Sequence, residues 1–311
     1  MSAPPPAARS LRDVQVWMVS AITGPAADAS ALDVARYVTA GPRLSAADRF
    51  DIYRSGYHAR LFECLLDDYP VVAAMLTRLT RLTRLSRLDD DAEGHEEHGH
   101  SSCFESLCRA YVDRHPSASP NLNGFGRHMA AFCREVKLED YPAFDGVRLF
   151  ASELAALEWA LVEVLHAETA APLEITALQA LPPEAWAGAR FIKNDAIRVF
   201  RFAFPVNAVF IANRIDEIIP EVPAPSANAV AVYRKDMQLW RMDLTPAMLG
   251  VLEPLLAGKT LGEALETVEA EATDPEILAQ TGANLMVWFR EWVDAGFFTS
   301  IELDDTTTAT V

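Results

Sequence analysis

From about residue 10 to residue 169 the apolar residues of this 311-residue chain recur every three to four positions, and after Ala171-Pro172 that period gives way to alternation. A change of period at a proline restricts the chain to two blocks built from different elements. A helix buries one stripe of side chains, whereas a strand buries every second one. Half of the residues are apolar, which is enough for two separate cores.

In the first block, helical patterns cover residues 11–22, 29–38, 45–69, 71–88, 102–115, 125–136 and 150–167. Ser45 followed by Asp48 reads as a helix cap with a carboxylate in the first turn. Asn123 or Gly124 is placed to cap the helix at 125, and Tyr141-Pro142 turns the chain toward the one at 150. Leu154, Leu157, Leu161 and Leu165 recur at helical spacing and are expected to face the core.

In the second block, residues 197–204 (IRVFRFAF) read as a strand, and residues 228–242 as two strands about Lys235-Asp236-Met237. Thr245-Pro246 opens a helix, with proline at its first position. Residues 258–262 separate it from a second helix over 263–270, and a third over 278–295 stops at Gly296. A short strand over 297–303 closes the block. Trp288 and Trp292, four apart on one helical face, belong in a core. The expected class is α+β. A helical bundle over 10–170, with an insertion at 77–101, precedes a smaller α/β unit over 172–303 that is winged-helix-like, of the peptide-recognition type. Residues 1–9 and 304–311 are expected to be flexible termini.

The densest polar chemistry lies in residues 51–70, DIYRSGYHARLFECLLDDYP, and 111–126, YVDRHPSASPNLNGFG. In the first, Ile52, Leu61, Leu65 and Leu66 give an apolar helical stripe, with Tyr53, Tyr57, Arg60 and Asp68 falling between. Pro70 breaks or kinks that helix and restricts Tyr69 before it. In the second, His115-Pro116 and Ser119-Pro120 punctuate a helix end, and residues 120–124 (PNLNG) form a turn whose Asn side chains satisfy the backbone.

Taken with residues 11–15 (LRDVQ) and 157–160 (LEWA), these segments resemble the HvfC/BufC family, which carries a DNA-binding label. The resemblance spans most of residues 9–170 and continues more weakly through the C-terminal half. It implies an accessory, non-catalytic subunit that binds a multinuclear non-haem iron oxidative enzyme as a one-to-one heterodimer. It further implies that the subunit presents the leader of a Cys-rich, ribosomally made precursor peptide for modification, as for the bufferins of copper homeostasis. The iron then belongs to the partner enzyme, and no cofactor is expected in this chain. On that reading Tyr53, Arg54, Tyr57, Arg60, Asp68, Tyr69, His115 and Asn121 face the enzyme, where Tyr and Arg are favoured anchors. The residues alone are equally consistent with Tyr53, Arg54, Arg60, Asp68 and Asn121 forming a hydrogen-bonded network that locks the bundle. Val232, Tyr233, Leu239, Trp240 and Arg241 form the expected peptide-binding set, because an open sheet edge beside 229–242 would accept a leader as an added strand.

Charge bears on the DNA-binding label. The formal net charge is −17, with 17 basic against 24 acidic residues before position 172 and 10 against 20 after it. Non-specific DNA affinity comes from phosphate neutralisation, so an acidic chain starts at a disadvantage and DNA binding stands as the alternative reading. The four cysteines, Cys64, Cys103, Cys108 and Cys133, show neither a disulfide framework nor a zinc spacing. No apolar run approaches a membrane span, and residues 14–22 read as an amphipathic helix rather than a signal peptide. The chain is expected to be cytoplasmic, with reduced thiols and no membrane contact.

Residues 77–88 repeat as TRL-TRL-TRL-SRL and run into DDDAEGHEEHGH, ending at His100. Members of the resembled family have only a short connection here. Period three drifts by about 60° per repeat on a helix, so the leucines spiral instead of forming one stripe. The expectation is an insertion that extends a helix and then loses order. His95, His98 and His100 beside Glu96 and Glu97 have ligand types suited to Zn, Ni or Cu(II). Gly94 and Gly99 leave such a cluster without preorganisation, so no metal site is expected. The chain contains no GxSxG, HExxH, GxxxxGK[ST] or GxGxxG after a strand. The lone Gly124-Phe125-Gly126 reads as a turn, and His58, His115, His128 and His166 are scattered without paired carboxylates. His115, at a helix end, is the best placed of them.

Overall fold

The computed structural model describes residues 10–24, 33–90, 101–168, 170–216, 221–272 and 274–303. The expected flexible termini and His95, His98 and His100 lie outside those residues. The chain is mixed helix and strand, and it divides into two compact units, residues 1–146 and 147–311. The sequence pattern places the division near residue 171, about one long helix later.

The first unit contains α1 (Leu11–Thr23), α2 (Ala46–Asp68), α3 (Pro70–Asp90), α4 (Cys103–Arg114) and α5 (Met129–Glu135). Reciprocal capping boxes start three of these helices: Ser10 with Asp13, Ser45 with Asp48, and Ser102 with Glu105. Each satisfies two backbone groups that the first turn leaves without partners. The helix expected over 29–38 is not seen in its described part, where residues 34–36 make a single 3₁₀ turn. That segment is held instead by Tyr37 stacked on Trp17, with ring centroids 4.1 Å apart, and by Arg49 donating to the Thr39 carbonyl at 2.5 Å. Helix α3 runs through the repeat, and its leucines do spiral: Leu79 is half-buried, whereas Leu82 and Leu85 are exposed. The threonines of the repeat have separate roles. Buried Thr80 donates to the Leu76 carbonyl at 2.8 Å and accepts the Cys103 amide at 2.9 Å, tying α3 to the start of α4.

The helix expected over 125–136 is interrupted. Residues 125–128 form a 3₁₀ turn before α5 begins. Two buried tyrosines hold this turn. The Tyr111 hydroxyl donates to the Phe125 carbonyl at 2.6 Å, and the Tyr69 hydroxyl to the Gly126 carbonyl at 2.7 Å. The Gly126 carbonyl accepts the Met129 amide as well, in the i to i+3 pattern of the 3₁₀ turn, so both of its lone pairs are used.

The second unit takes in most of α6 (Phe144–His166), then α7 (Ile175–Gln179), β1 (Ala189–Lys193), β2 (Ile197–Phe202), α8 (Val206–Asp216), β3 (Asn228–Lys235), β4 (Gln238–Leu244), α9 (Pro246–Leu256), α10 (Leu261–Glu271), α11 (Pro275–Asp294) and β5 (Phe298–Leu303). Strands β2, β3 and β4 form an antiparallel sheet in that order, and β1 pairs with β5. The β3–β4 turn has positive φ at Asp236 and Met237, the pattern of a two-residue type I′ hairpin. One face of β3 (Ala229, Ala231, Tyr233) joins a core with α9, α10 and α11, where Phe191, Phe289, Phe298 and Trp292 cluster. Trp288 and Trp292 are buried there, as their spacing implies.

Helix α6 explains the earlier division. It starts six residues before the expected position, and from Val147 onward it belongs with the sheet. Its buried Glu153 carboxylate accepts the Ala203 and Phe204 amides, each at 3.0 Å, just beyond β2. Glu163 accepts from Arg198 at 2.7 Å. At the far end of α6, Arg234 of β3 donates to the carbonyls of Leu165 and Ala167 at 2.5 and 2.9 Å, closing the helix C-terminus. Leu154 and Leu157 are buried as expected, Leu161 is half-buried, and Leu165, in the last turn, is exposed.

Gly126 lies where a side chain cannot. A Cβ there would fall 2.8 Å from Tyr69 Cε2 and 3.0 Å from its hydroxyl. Gly126→Ala is expected to destabilise the first unit by about 1–3 kcal/mol through this overlap. An urea-unfolding midpoint equal to that of the unsubstituted chain would contradict the packing described.

Candidate functional site

Two surfaces gather the chemistry-bearing residues, one in each unit. In the first unit, Tyr53, Tyr57, Arg60, Cys64 and Asp68 follow one another at spacings of four, three, four and four along α2. Successive offsets of three and four residues keep all five on one helical face. Tyr53 is 63% exposed, Arg60 is exposed, and Tyr57, Cys64 and Asp68 are half-buried. The Pro-rich loop after α4 runs beside this face. Ser117 hydrogen-bonds to Tyr57, and the Cys64 thiol lies 3.8 Å from the Leu122 carbonyl and 3.9 Å from Asp68 Oδ2. Partial burial raises the Tyr57 pKa.

The single locking network of Tyr53, Arg54, Arg60, Asp68 and Asn121 does not form. Tyr53 and Asp68 are about 22 Å apart along the helix at its ordinary rise. Arg54 is buried and turns the other way, donating to the Gly24 carbonyl at the end of α1 at 3.2 Å. Asn121 is exposed, and its side chain accepts the Asn123 amide at 3.0 Å in a local turn. Ile52 and Leu66 are exposed, so the apolar stripe of α2 narrows to Leu61 and Leu65. The 51–70 and 111–126 segments nevertheless meet, through Tyr69 and Tyr111. Here His115 stacks on His128 with centroids 5.0 Å apart and packs against the Tyr111 and Phe132 rings, and the His128 amide donates to the Tyr111 hydroxyl at 3.3 Å. Arg127 Nε donates to His128 Nε2 at 3.0 Å, which makes that nitrogen an acceptor. The His115 pKa is lowered, chiefly by burial and then by the neighbouring His128 and Arg114.

A groove of about 520 Å³ between α2 and α4 has no counterpart in the sequence expectations. Phe62, Val112 and Cys108 give it apolar walls, with Glu63, Arg109 and Asp113 among its charged lining residues. His58 also lines it, and its Nε2 is buried without a hydrogen-bond partner. Burial, with Arg54 nearby, lowers the His58 pKa. Only the packing of two helices against each other creates this groove, so neither helix pattern announces it.

In the second unit the expected peptide-binding residues separate. Val232 and Tyr233 are buried on β3, the middle strand, which has partners on both sides. Arg241 is engaged with α8: its Nε donates to Asn207 Oδ1 at 3.0 Å and its guanidinium lies 4.6 Å from the Phe210 ring centroid. Asn207 in turn donates to Asp243 at 2.9 Å. Burial lowers the Arg241 pKa, while Asp243 opposes the change. Leu239, half-buried, and Trp240, 46% exposed, remain available on β4. Strand β4 is an edge of its sheet among the described residues. Lys235 faces Gln238 across the two-residue hairpin, so alternation sends the Leu239, Arg241 and Asp243 backbone groups outward. Near one end of the sheet lies a cavity of about 450 Å³, lined by Phe202, Leu244, Leu249, Val268 and Ile277, where Asn228 Oδ1 is buried without a partner.

All four cysteines are free. Burial pushes the Cys103 and Cys133 thiols up to about 12, and Cys108 upward as well. Burial together with Asp68 and Asp67 pushes Cys64 up to about 11. No helix among the described residues is long and apolar enough to cross a membrane. No protein-family model matches the chain, and no curated protein sequence matches it.

The lowered His115 value sets a pH dependence. Protonation then favours the unfolded chain, so its share of stability is present above the unfolded value of about 6.5 and lost as pH falls below it. The urea midpoint of the first unit is expected to drop between pH 7.5 and pH 5.5, and to drop less in His115→Phe, which keeps the ring stack. Equal drops in the two proteins would remove His115 from the account.

Proposed function

We infer that this chain is a non-catalytic partner of a multinuclear non-haem iron oxidative enzyme and presents the leader of a Cys-rich precursor peptide to it. The observation that carries this reading is the β4 edge, unpaired by any other strand among the described residues, with Trp240 beside outward-facing backbone groups. Such an edge gives an extended peptide main-chain hydrogen bonds, while exposed aromatic and apolar side chains give it register. In this reading the second unit is a winged-helix-like peptide-recognition element and the first a helical enzyme-docking bundle. The α2 face of Tyr53, Tyr57 and Arg60 supports the docking role, because these are the residue types that anchor protein interfaces and here they are offered in a row. The iron and its ligands would come from the enzyme. The resemblance to the HvfC/BufC family supports the same assignment, and the net charge of −17 weighs against DNA as the partner.

The test is co-expression with an iron enzyme of that class, then size-exclusion chromatography with and without precursor peptide. Co-elution of both proteins, with peptide retained only when this chain is present, is expected. Leu239→Pro removes one outward amide without touching the β3 ladder, and should weaken peptide retention by roughly tenfold while leaving co-elution intact. Separate elution of the two proteins would defeat the docking reading. Unchanged peptide retention by the proline variant would defeat the edge-strand reading.

A further inference from the structure

Helix α11 buries Trp288, Phe289, Trp292 and Val293 on one side, and its opposite side is unusual for a solvent-facing surface. Residues 277–289 contain no charged side chain, in a chain where 23% of residues are charged. Six of them face outward: Leu278, Ala279, Gly282, Ala283, Met286 and Val287. Met286 and Val287 are 57% and 54% exposed. Gly282 needs explaining, because glycine weakens a helix interior and a Cβ there would meet nothing within 4 Å. The chain's own packing does not require it. Close approach of another backbone would.

We propose that this face pairs with the same face of a second copy of the chain, as two antiparallel α11 helices about a two-fold axis near Gly282 and Ala283. The order of residues along the helix selects both the occupant and its direction. The N-terminal half of the face is small along its middle (Ala279, Gly282, Ala283), with Leu278 at its margin, and begins with Glu276. The C-terminal half is bulky (Met286, Val287) and ends with exposed Arg290. Antiparallel pairing sets each bulky half over the other copy's small half. It also brings each Glu276 to the partner's Arg290, since the two residues lie about 21 Å apart along one helix and the axis falls midway. Parallel pairing would instead stack Met286 on Met286 and Arg290 on Arg290. A two-fold interface uses one self-complementary patch twice, and this face is self-complementary in size and in charge. Like charge on the two copies opposes association at long range, so the contact must rest on short-range packing and is best measured near physiological salt.

This inference does not depend on the partner enzyme, and it is tested on the full chain alone by sedimentation velocity across a concentration series. A concentration-dependent dimer is expected. Gly282→Leu fills the space between backbones while improving helix propensity. It should therefore weaken the dimer roughly tenfold or more without lowering the melting temperature. Arg290→Glu should weaken it as well, and Glu276→Arg combined with Arg290→Glu should restore it. A chain that stays monomeric at every concentration, or a dimer that neither single variant weakens, overturns the proposal. A double variant that fails to recover association overturns the antiparallel arrangement.

Discussion

Two tyrosine hydroxyls fix the first unit. Tyr69 and Tyr111 are fully buried, and each hydrogen-bonds to one of two consecutive carbonyls, those of Gly126 and Phe125. A buried hydroxyl without a partner is costly, so each bond is worth more than its net contribution to folding suggests. The pair holds the tight turn at 125–128, Tyr69 leaves no room for a side chain at Gly126, and contacts of Ser117 with Tyr57 and of Leu122 with Cys64 set the preceding loop beside α2. The exposed face of Tyr53, Tyr57 and Arg60 thus sits on a helix whose far end is rigidly anchored. That is the arrangement expected of residues that must meet a partner in fixed register.

The second unit depends on a different constraint, the burial of β3 over residues 229–233. Residues 229–233 alternate between the core with α9 to α11 and the opposite face of the sheet. A strand buried on both faces needs cover on both, and α8 supplies part of the second layer through Asn207 and Phe210. Helix α6 is tied to the same sheet at both ends, by Glu153 beyond β2 and by Arg234 at its own C-terminus. Charge-assisted bonds to backbone groups leave little freedom at either end. Among the described residues, the β4 edge has no further strand on an otherwise well-braced sheet.

Much of this was legible in the residues. The Ser45–Asp48 cap, the hairpin at Asp236 and Met237, and the tryptophan pair on α11 each follow from local chemistry that tertiary contacts did not overrule. The misses have common physical origins. Residues 206–216 (VNAVFIANRID) form α8, but a short apolar run after a proline does not separate helix from strand by periodicity. Strand β1 is five residues long with two charges, and only pairing with β5 more than a hundred residues away makes it a strand. Leucines at perfect helical spacing predicted burial of Leu165, yet the cap by Arg234 decides that end of α6. At the candidate site, spacing identified the α2 face but not its partners. Arg54 and Arg241 looked like free anchors and proved to be bound to Gly24 and Asn207. A single sequence reveals that a polar residue is poorly suited to core or surface, not which neighbour satisfies it.

The thiols bear on whether such a chain could handle a Cys-rich peptide. Disulfide exchange proceeds through thiolates, and its rate depends on thiolate fraction and access. Cys103, Cys108 and Cys133 are buried with raised pKa values, and the half-buried Cys64 is held up by burial and by the Asp68 and Asp67 carboxylates. None therefore presents a ready thiolate near neutral pH. A presenting subunit for thiol-rich peptides gains from this, because mixed disulfides with its cargo would trap the peptide short of the enzyme. On the proposed function, the α2 face and the β4 edge would meet their partners through tyrosine, arginine, tryptophan and open backbone. Such groups would recognise a peptide or a protein face without competing for metal or sulfur.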